Sequence, residues 1–239
     1  MVMSADIVII AAMEREIAPL VRGWQRRDVA GDMISFTAFV RDNVMVICSG
    51  IGAGFARQAA VAAMSPDHPS TLVSAGLAGA LNTQFKIGQV LEPATVIDLG
   101  TGARFSAAGE NGILLSATSV LEVEAKRRMQ GAYKADAVDM EAAAVALVAA
   151  QHECTFIALK AISDEADFPM LPFDRYLDNR GRIQMPRLVV ASIFRPAQWP
   201  ILVKLARNTK RASQELCRAL DHLIKERTST MKAELSSRV

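Results

Sequence analysis

The stretch DAVDMEAAAVALVAAQ, residues 136–151, sets two acids, Asp139 and Glu141, on either side of Met140, directly before an Ala-rich apolar helix over Ala142 to Ala150. Carboxylates at such a seam are costly to bury without partners, so they point to a site that uses carboxylates. Similar residues follow other short apolar runs: Glu14 and Glu16, then Gly50, Gly52 and Gly54, then Gly76 and Gly79, and finally Ser163, Asp164, Glu165 and Asp167. In open α/β sheets, ligands bind at the carboxyl ends of strands, where loops and helix N-termini present free backbone donors.

The elements that would carry these residues alternate. Asp6 to Ala11 is a β-branched apolar run feeding MEREIAPLV, in which Met13, Ile17 and Leu20 or Val21 fall at helical spacing. Val44 to Cys48 ends in SGIGAG and leads into a helix over Phe55 to Met64, while Thr71 to Ala75 is closed by a GLAGAL turn. Val90 to Leu99 and Gly112 to Leu115 read as strands separated by a Gly-rich turn. Ser119 is placed to cap a helix through Gln130, with Glu122 completing a capping box. Thr155 to Ser163 is a nearly continuous apolar strand, the pattern of a sheet covered on both faces.

Pro169, Pro172, Pro186 and Pro196, with Pro200 just after them, mark a broken region holding one short helix over Leu188 to Ile193. A last helix from about Pro200 carries the stripe Leu205, Ala212, Leu216, Leu220 and Leu223. The pattern predicts an α/β fold: a single-domain three-layer α/β/α sandwich over residues 1–227 with a mixed, largely parallel central sheet. This domain includes the Pro-rich insert 168–200 and the helix 201–227, and a frayed tail follows over 228–239.

Bulk properties narrow the function. An apolar content of 51% supplies a sizeable core. Mean hydropathy is +0.21, but no apolar run reaches the roughly 20 residues a membrane span needs. With no basic n-region or cleavage site at the start, the expected location is cytoplasmic. Three scattered cysteines, Cys48, Cys154 and Cys217, form neither a disulfide framework nor a metal cluster. The formal charge of +2 hides an asymmetry, because residues 204–239 hold nine basic and four acidic side chains without an aromatic. A solvated helical face accounts for that better than nucleic acid does.

Taken singly, these residues have ordinary readings. The glycines serve as turn residues, although Arg57, one turn into the following helix, lets SGIGAG hold an anion. The loop is neither a P-loop nor a dinucleotide fingerprint. Glu14 reads as a first-turn acid favoured by the helix dipole, Glu16 as either exposed or turned toward the strand ends, and Asp164 as an N-cap.

In their order along the chain, AAMEREI, SGIGAG, AGLAGAL, VDMEAAAVA and KAISDEAD resemble the signature of the purine nucleoside phosphorylase and nucleosidase superfamily. The likeness covers most of residues 6–167 and is nearest to the methylthioadenosine/S-adenosylhomocysteine nucleosidases. It implies that Glu141 hydrogen-bonds the ribose hydroxyls with Met140 beneath the sugar. It also implies that Asp164, beside Ser163, protonates the purine at N7, and that Glu16 holds the hydrolytic water. Gly76, Leu77, Ala78 and Gly79 would lie against the nucleoside. Such roles suit the reaction, since breaking an N-glycosidic bond builds positive charge on the sugar and negative charge on the base. No metal or organic cofactor is required.

The resemblance also departs from the pattern. The stretch between Gly79 and Met140 is shorter than in the nucleosidases, and LLSATSVLEVEAK offers no aromatic to stack on a base. The Pro-rich insert and basic helix look more like phosphorylases associated with hopanoid synthesis. Three readings follow: hydrolysis, phosphorolysis with Gly50, Gly52 and Arg57 cradling phosphate, and a non-catalytic nucleoside-binding protein. The expected partner is a small purine nucleoside, with phosphate in the second reading, and the chain is expected to be a homo-oligomer.

Overall fold

The computed structural model describes residues 5–64, 68–169 and 199–237, the last seven as backbone only. Eleven strands and five helices alternate along it. In order they are β1 (Ile7–Ala11), α1 (Glu14–Ile17), β2 (Gln25–Ala30), β3 (Ser35–Arg41), β4 (Val44–Cys48), α2 (Ala53–Ala63) and β5 (Thr71–Ala80). Next come β6 (Val90–Leu91), β7 (Thr95–Asp98), β8 (Arg104–Ser106), β9 (Ile113–Ser116), α3 (Val123–Tyr133), β10 (Ala137–Asp139), α4 (Ala142–Gln151) and β11 (Thr155–Asp164). The last is α5 (Trp199–Ser237).

The strands join in one mixed sheet of order β2-β3-β4-β1-β5-β10-β9-β7-β8, with β11 on β5 and β6 on β11. Its centre is parallel: β1 pairs with β4 and β5, and β11 with β5. Side-chain alternation along these strands separates two cores. Val8, Ile10, Met45, Ile47, Leu72 and Ala158 pack with the alanines of α2 and α4. Ile7, Ile9, Val46, Val73, Ile157 and Leu159 pack with Ile17 of α1 and with Ala212, Leu216 and Leu220 of α5. Both faces of the sheet are covered, which is why β1, β4 and β11 read as unbroken apolar runs.

Several expectations change. Gly76 to Gly79 is no turn, because β5 runs straight through it to Ala80. Its glycines leave room for neighbouring side chains, Lys160 and Glu16 at Gly76 and Asp164 and Lys126 at Gly79, and Gly79 pairs with Asp164 on β11 and with Val138 on β10. The single strand expected over Val90 to Leu99 is two, β6 and β7, which join different neighbours. Pro93 lies between them and lacks the N–H a ladder needs. The Gly-rich turn that follows contains β8, which pairs with β7.

Helix α3 begins at Val123, and its N-cap is Glu122, without a side-chain capping bond. The Ser119 capping box is therefore not formed. Strands β2 and β3 form an antiparallel hairpin on the edge of the sheet where no element was expected. Helix α5 starts beside Pro200 as anticipated and continues past Arg227 to Ser237. The short helix expected over Leu188 to Ile193 lies outside the described residues. Among the described residues, no helix is long and apolar enough to cross a membrane.

Candidate active site

The loop that leaves β1 carries Glu16. Met13 is in extended conformation and opens the single-turn helix α1, whose buried residues are Glu16 and Ile17. Two neighbours hold this loop. The backbone N–H groups of Ser49 and Gly50 donate to Ala11 and Ala12 carbonyls at 2.8 and 2.9 Å, and the Cys217 thiol of α5 meets the Glu16 carbonyl at 3.4 Å. The Glu16 side chain is 3% exposed and its Oε2 atom has no hydrogen-bond partner. Burial, reinforced by the charge of Glu141, pushes its pKa up to about 7, against a smaller opposing effect of Lys160.

Glu141 stands at the seam between β10 and α4. One of its oxygens accepts from the Gly52 N–H at 2.7 Å and the other from the Met140 N–H at 3.3 Å. Gly52 has φ of +104°, a conformation open to glycine and strained for other residues, so the loop can aim this N–H at the carboxylate. Burial, followed by repulsion from Asp139, pushes the Glu141 pKa up to about 7, while Lys160 and the two N–H donors act the other way.

Asp139, whose charge acts on Glu141, is held by a network of its own. It accepts from Ser116 Oγ at 2.5 Å and from the Ala142 N–H at 2.9 Å, and it pairs with Lys160 Nζ at 2.8 Å. The bond to Ala142 satisfies a free donor at the start of α4. Lys160 also donates to Ser74 Oγ at 3.0 Å and is 1% exposed. Reading the sequence for acids missed Lys160. Its signal was a lone lysine inside an apolar strand, where an ammonium survives only with partners.

The second group of charges lies three residues further along β5, about 10 Å at the usual rise of a strand. Here Asp164 is buried, with one oxygen accepting from Ser163 Oγ at 2.8 Å and the other paired with Lys126 Nζ of α3. Ser163 Oγ also lies 3.3 Å from the Ala78 carbonyl, and Lys126 donates to the Glu165 carbonyl at 3.2 Å. Lys126 was not foreseen, since it sits in a polar helical stretch that gives no sign it turns inward.

Gly76 and Gly79 mark the two groups. A Cβ on Gly76 would lie 3.5 Å from Lys160 Nζ and 3.7 Å from Glu16 Oε2. On Gly79 it would lie 2.7 Å from Asp164 Oδ2 and 3.1 Å from Lys126 Nζ. Leu77 and Ala78 fall between them on the same strand, and Met140 is partly exposed at the head of α4. Of the residues assigned to phosphate, Gly52 has its N–H engaged by the Glu141 carboxylate, and the Gly50 N–H donates to the Ala12 carbonyl. Arg57 is exposed on α2 and takes no part in these contacts.

Together the strand ends offer an unpartnered carboxylate oxygen near a second, held carboxylate and, further along, an aspartate linked to a buried ammonium. Such a set can take a proton at one end and supply one at the other.

Residues 6–117 and 110–180 match the Phosphorylase superfamily. The fold is similar to 5′-methylthioadenosine/S-adenosyl homocysteine nucleosidase of Helicobacter pylori, with a TM-score of 0.69 at 19% identity over 93% of this chain and 99% of that one. Futalosine hydrolase of the same organism gives a TM-score of 0.69 at 19% identity over 94% and 99%. The nucleosidase of Neisseria meningitidis in complex with methylthio-immucillin-A gives 0.64 at 21% over 89% and 98%. A comparison with curated proteins returns no match.

Proposed function

The chain belongs to the phosphorylase superfamily, and from that premise we propose that it hydrolyses the N-glycosidic bond of a purine nucleoside. The observation that carries this reading is the buried, unpartnered Oε2 of Glu16. A buried carboxylate oxygen without a protein donor is free to accept from a ligand, and a pKa near 7 suits a general base at neutral pH. Glu16 takes a proton from the attacking water. Glu141 accepts from the ribose hydroxyls, and Met140 packs beneath the sugar. As the C1′–N9 bond breaks, its electron pair moves onto the base, and Asp164, steadied by Ser163, delivers a proton to N7. Gly76 to Gly79 gives the strand surface on which the nucleoside lies.

Phosphorolysis is the second reading, favoured by the glycine loop beside Glu141. Hydrolysis fits better for two reasons. The Gly52 donor that would serve phosphate is taken by a carboxylate, and the Lys160 ammonium is matched by Asp139.

Incubation with methylthioadenosine, adenosylhomocysteine, adenosine and inosine, with and without phosphate, decides the matter through release of free base. Release in the absence of phosphate is expected. Strict dependence on phosphate would establish phosphorolysis instead, and ligand binding without any base release would leave a nucleoside-binding protein.

A further inference from the structure

We propose that the proton delivered to the leaving base originates on Lys126 of α3 and passes through Asp164, so that Lys126 is a positioning residue that doubles as the site's proton store. The inference rests on the nucleosidase reading above and concerns a residue contributed from outside the strand ends.

Three observations carry it. Lys126 is 2% exposed, and its ammonium is paired with the carboxylate oxygen of Asp164 that Ser163 leaves open. A buried ion pair stabilises a fold weakly when set against apolar residues of the same size, so its placement at a ligand site calls for a reason beyond packing. The fold also makes room for it. Gly79 is the position on β5 where any Cβ would press on both members of the pair.

Lys126 Nζ and Asp164 Oδ2 are in direct contact, so a proton can cross from one to the other without an intervening group. As the glycosidic bond breaks and negative charge gathers on the purine, the proton moves from Lys126 Nζ to Asp164 Oδ2, and the carboxyl group passes a proton to the base. Lys126 is left as a neutral amine. Water adds to C1′ and gives its proton to Glu16. The amine and the Glu16 carboxyl then return to their starting states through solvent, for a net consumption of one water per bond.

Two variants and two leaving groups test this. Lys126→Gln keeps a hydrogen-bond donor toward Asp164 without a transferable proton, and Lys126→Arg keeps the charge but holds its proton too tightly to release it. Both should lower kcat on a purine nucleoside by about 100-fold, the scale of general acid catalysis. On 4-nitrophenyl β-D-riboside, whose nitrophenolate departs without a proton, each should stay within about 5-fold of wild type, far less than that contribution. Arg restoring purine turnover would reduce Lys126 to a counter-ion and overturn the proposal. Equal losses on both substrates would do the same. A wild-type protein that releases no base from any nucleoside would instead remove the nucleosidase reading itself.

Discussion

Lys160 Nζ lies 2.8 Å from Asp139 Oδ2 with both side chains shut off from solvent, so the lysine whose charge acts on Glu16 and Glu141 already has an anion of its own. The pair is a scaffold: it joins β11 to the seam before α4 and sets a fixed positive charge beside Glu16 and Glu141. Replacing Lys160 by Met strands Asp139 as a buried charge. The expected loss is about 3–5 kcal/mol, read from denaturant midpoints. A loss under about 1 kcal/mol, the size of an ordinary surface change, would show that the pair carries little of the fold.

The pKa of Glu16, raised to about 7, predicts the acid limb of activity. As a base it must be ionised, so kcat/KM should fall as pH drops below about 7 and level off above it. With Glu141 raised to about 7 as well, the limb is steeper than a single ionisation gives. A profile flat from pH 5 to 8 would remove Glu16 from the base role.

Stability should run the other way. The unfolded chain releases the Glu16 proton near 4.5, whereas the folded protein keeps it up to about 7, so between these values the folded state binds more protons. The contribution is complete below pH 4.5, falls as pH rises, and is gone above about 7. Glu16→Gln, which needs no ionisation, should match wild type at low pH and exceed it at pH 8 by up to about 3 kcal/mol. Urea titrations at pH 5 and 8 measure the difference, and a variant weaker than wild type at pH 8 would contradict the sign.

The two glycines of β5 should respond differently to the same added methyl. In Gly79→Ala the new carbon meets Asp164 and Lys126 inside contact distance, so the pair must shift. The expected cost is about 1–3 kcal/mol, with a clear fall in kcat. In Gly76→Ala the carbon stays at ordinary contact distance but lies over the open oxygen of Glu16. Stability should change by less than about 1 kcal/mol while KM rises. Thermal melts and kinetics on both variants separate the two effects, and equal behaviour would mean that the glycines do not mark distinct parts of a site.

Much of this frame was legible because the informative positions are constrained locally. The covered strands β1, β4 and β11 announce themselves as apolar runs, and Ala-rich α2 and α4 follow from helical spacing without breakers. AGLAGA misled because glycines signal turns when only local conformation is considered. In β5 they serve the close approach of neighbouring side chains, which only tertiary structure displays. The hairpin of β2 and β3 has an exposed outer strand, QRRDVA, whose polar residues carry no burial pattern to read. The acids Glu16, Glu141 and Asp164 stood out by type and position. Their cationic partners did not, because pairing of Lys126 with Asp164 depends on where α3 packs, 38 residues away in sequence.

The contact between the Cys217 thiol and the Glu16 carbonyl joins positions 201 residues apart. Helix α5 is made after every strand of the sheet, and until it docks, Ile7, Ile9, Ile157 and Leu159 lack the layer that covers them. The backbone of Glu16 lacks its support from that side for the same interval. The Glu16 loop is therefore completed by the part of the chain synthesised last, and its geometry depends on the docking of α5.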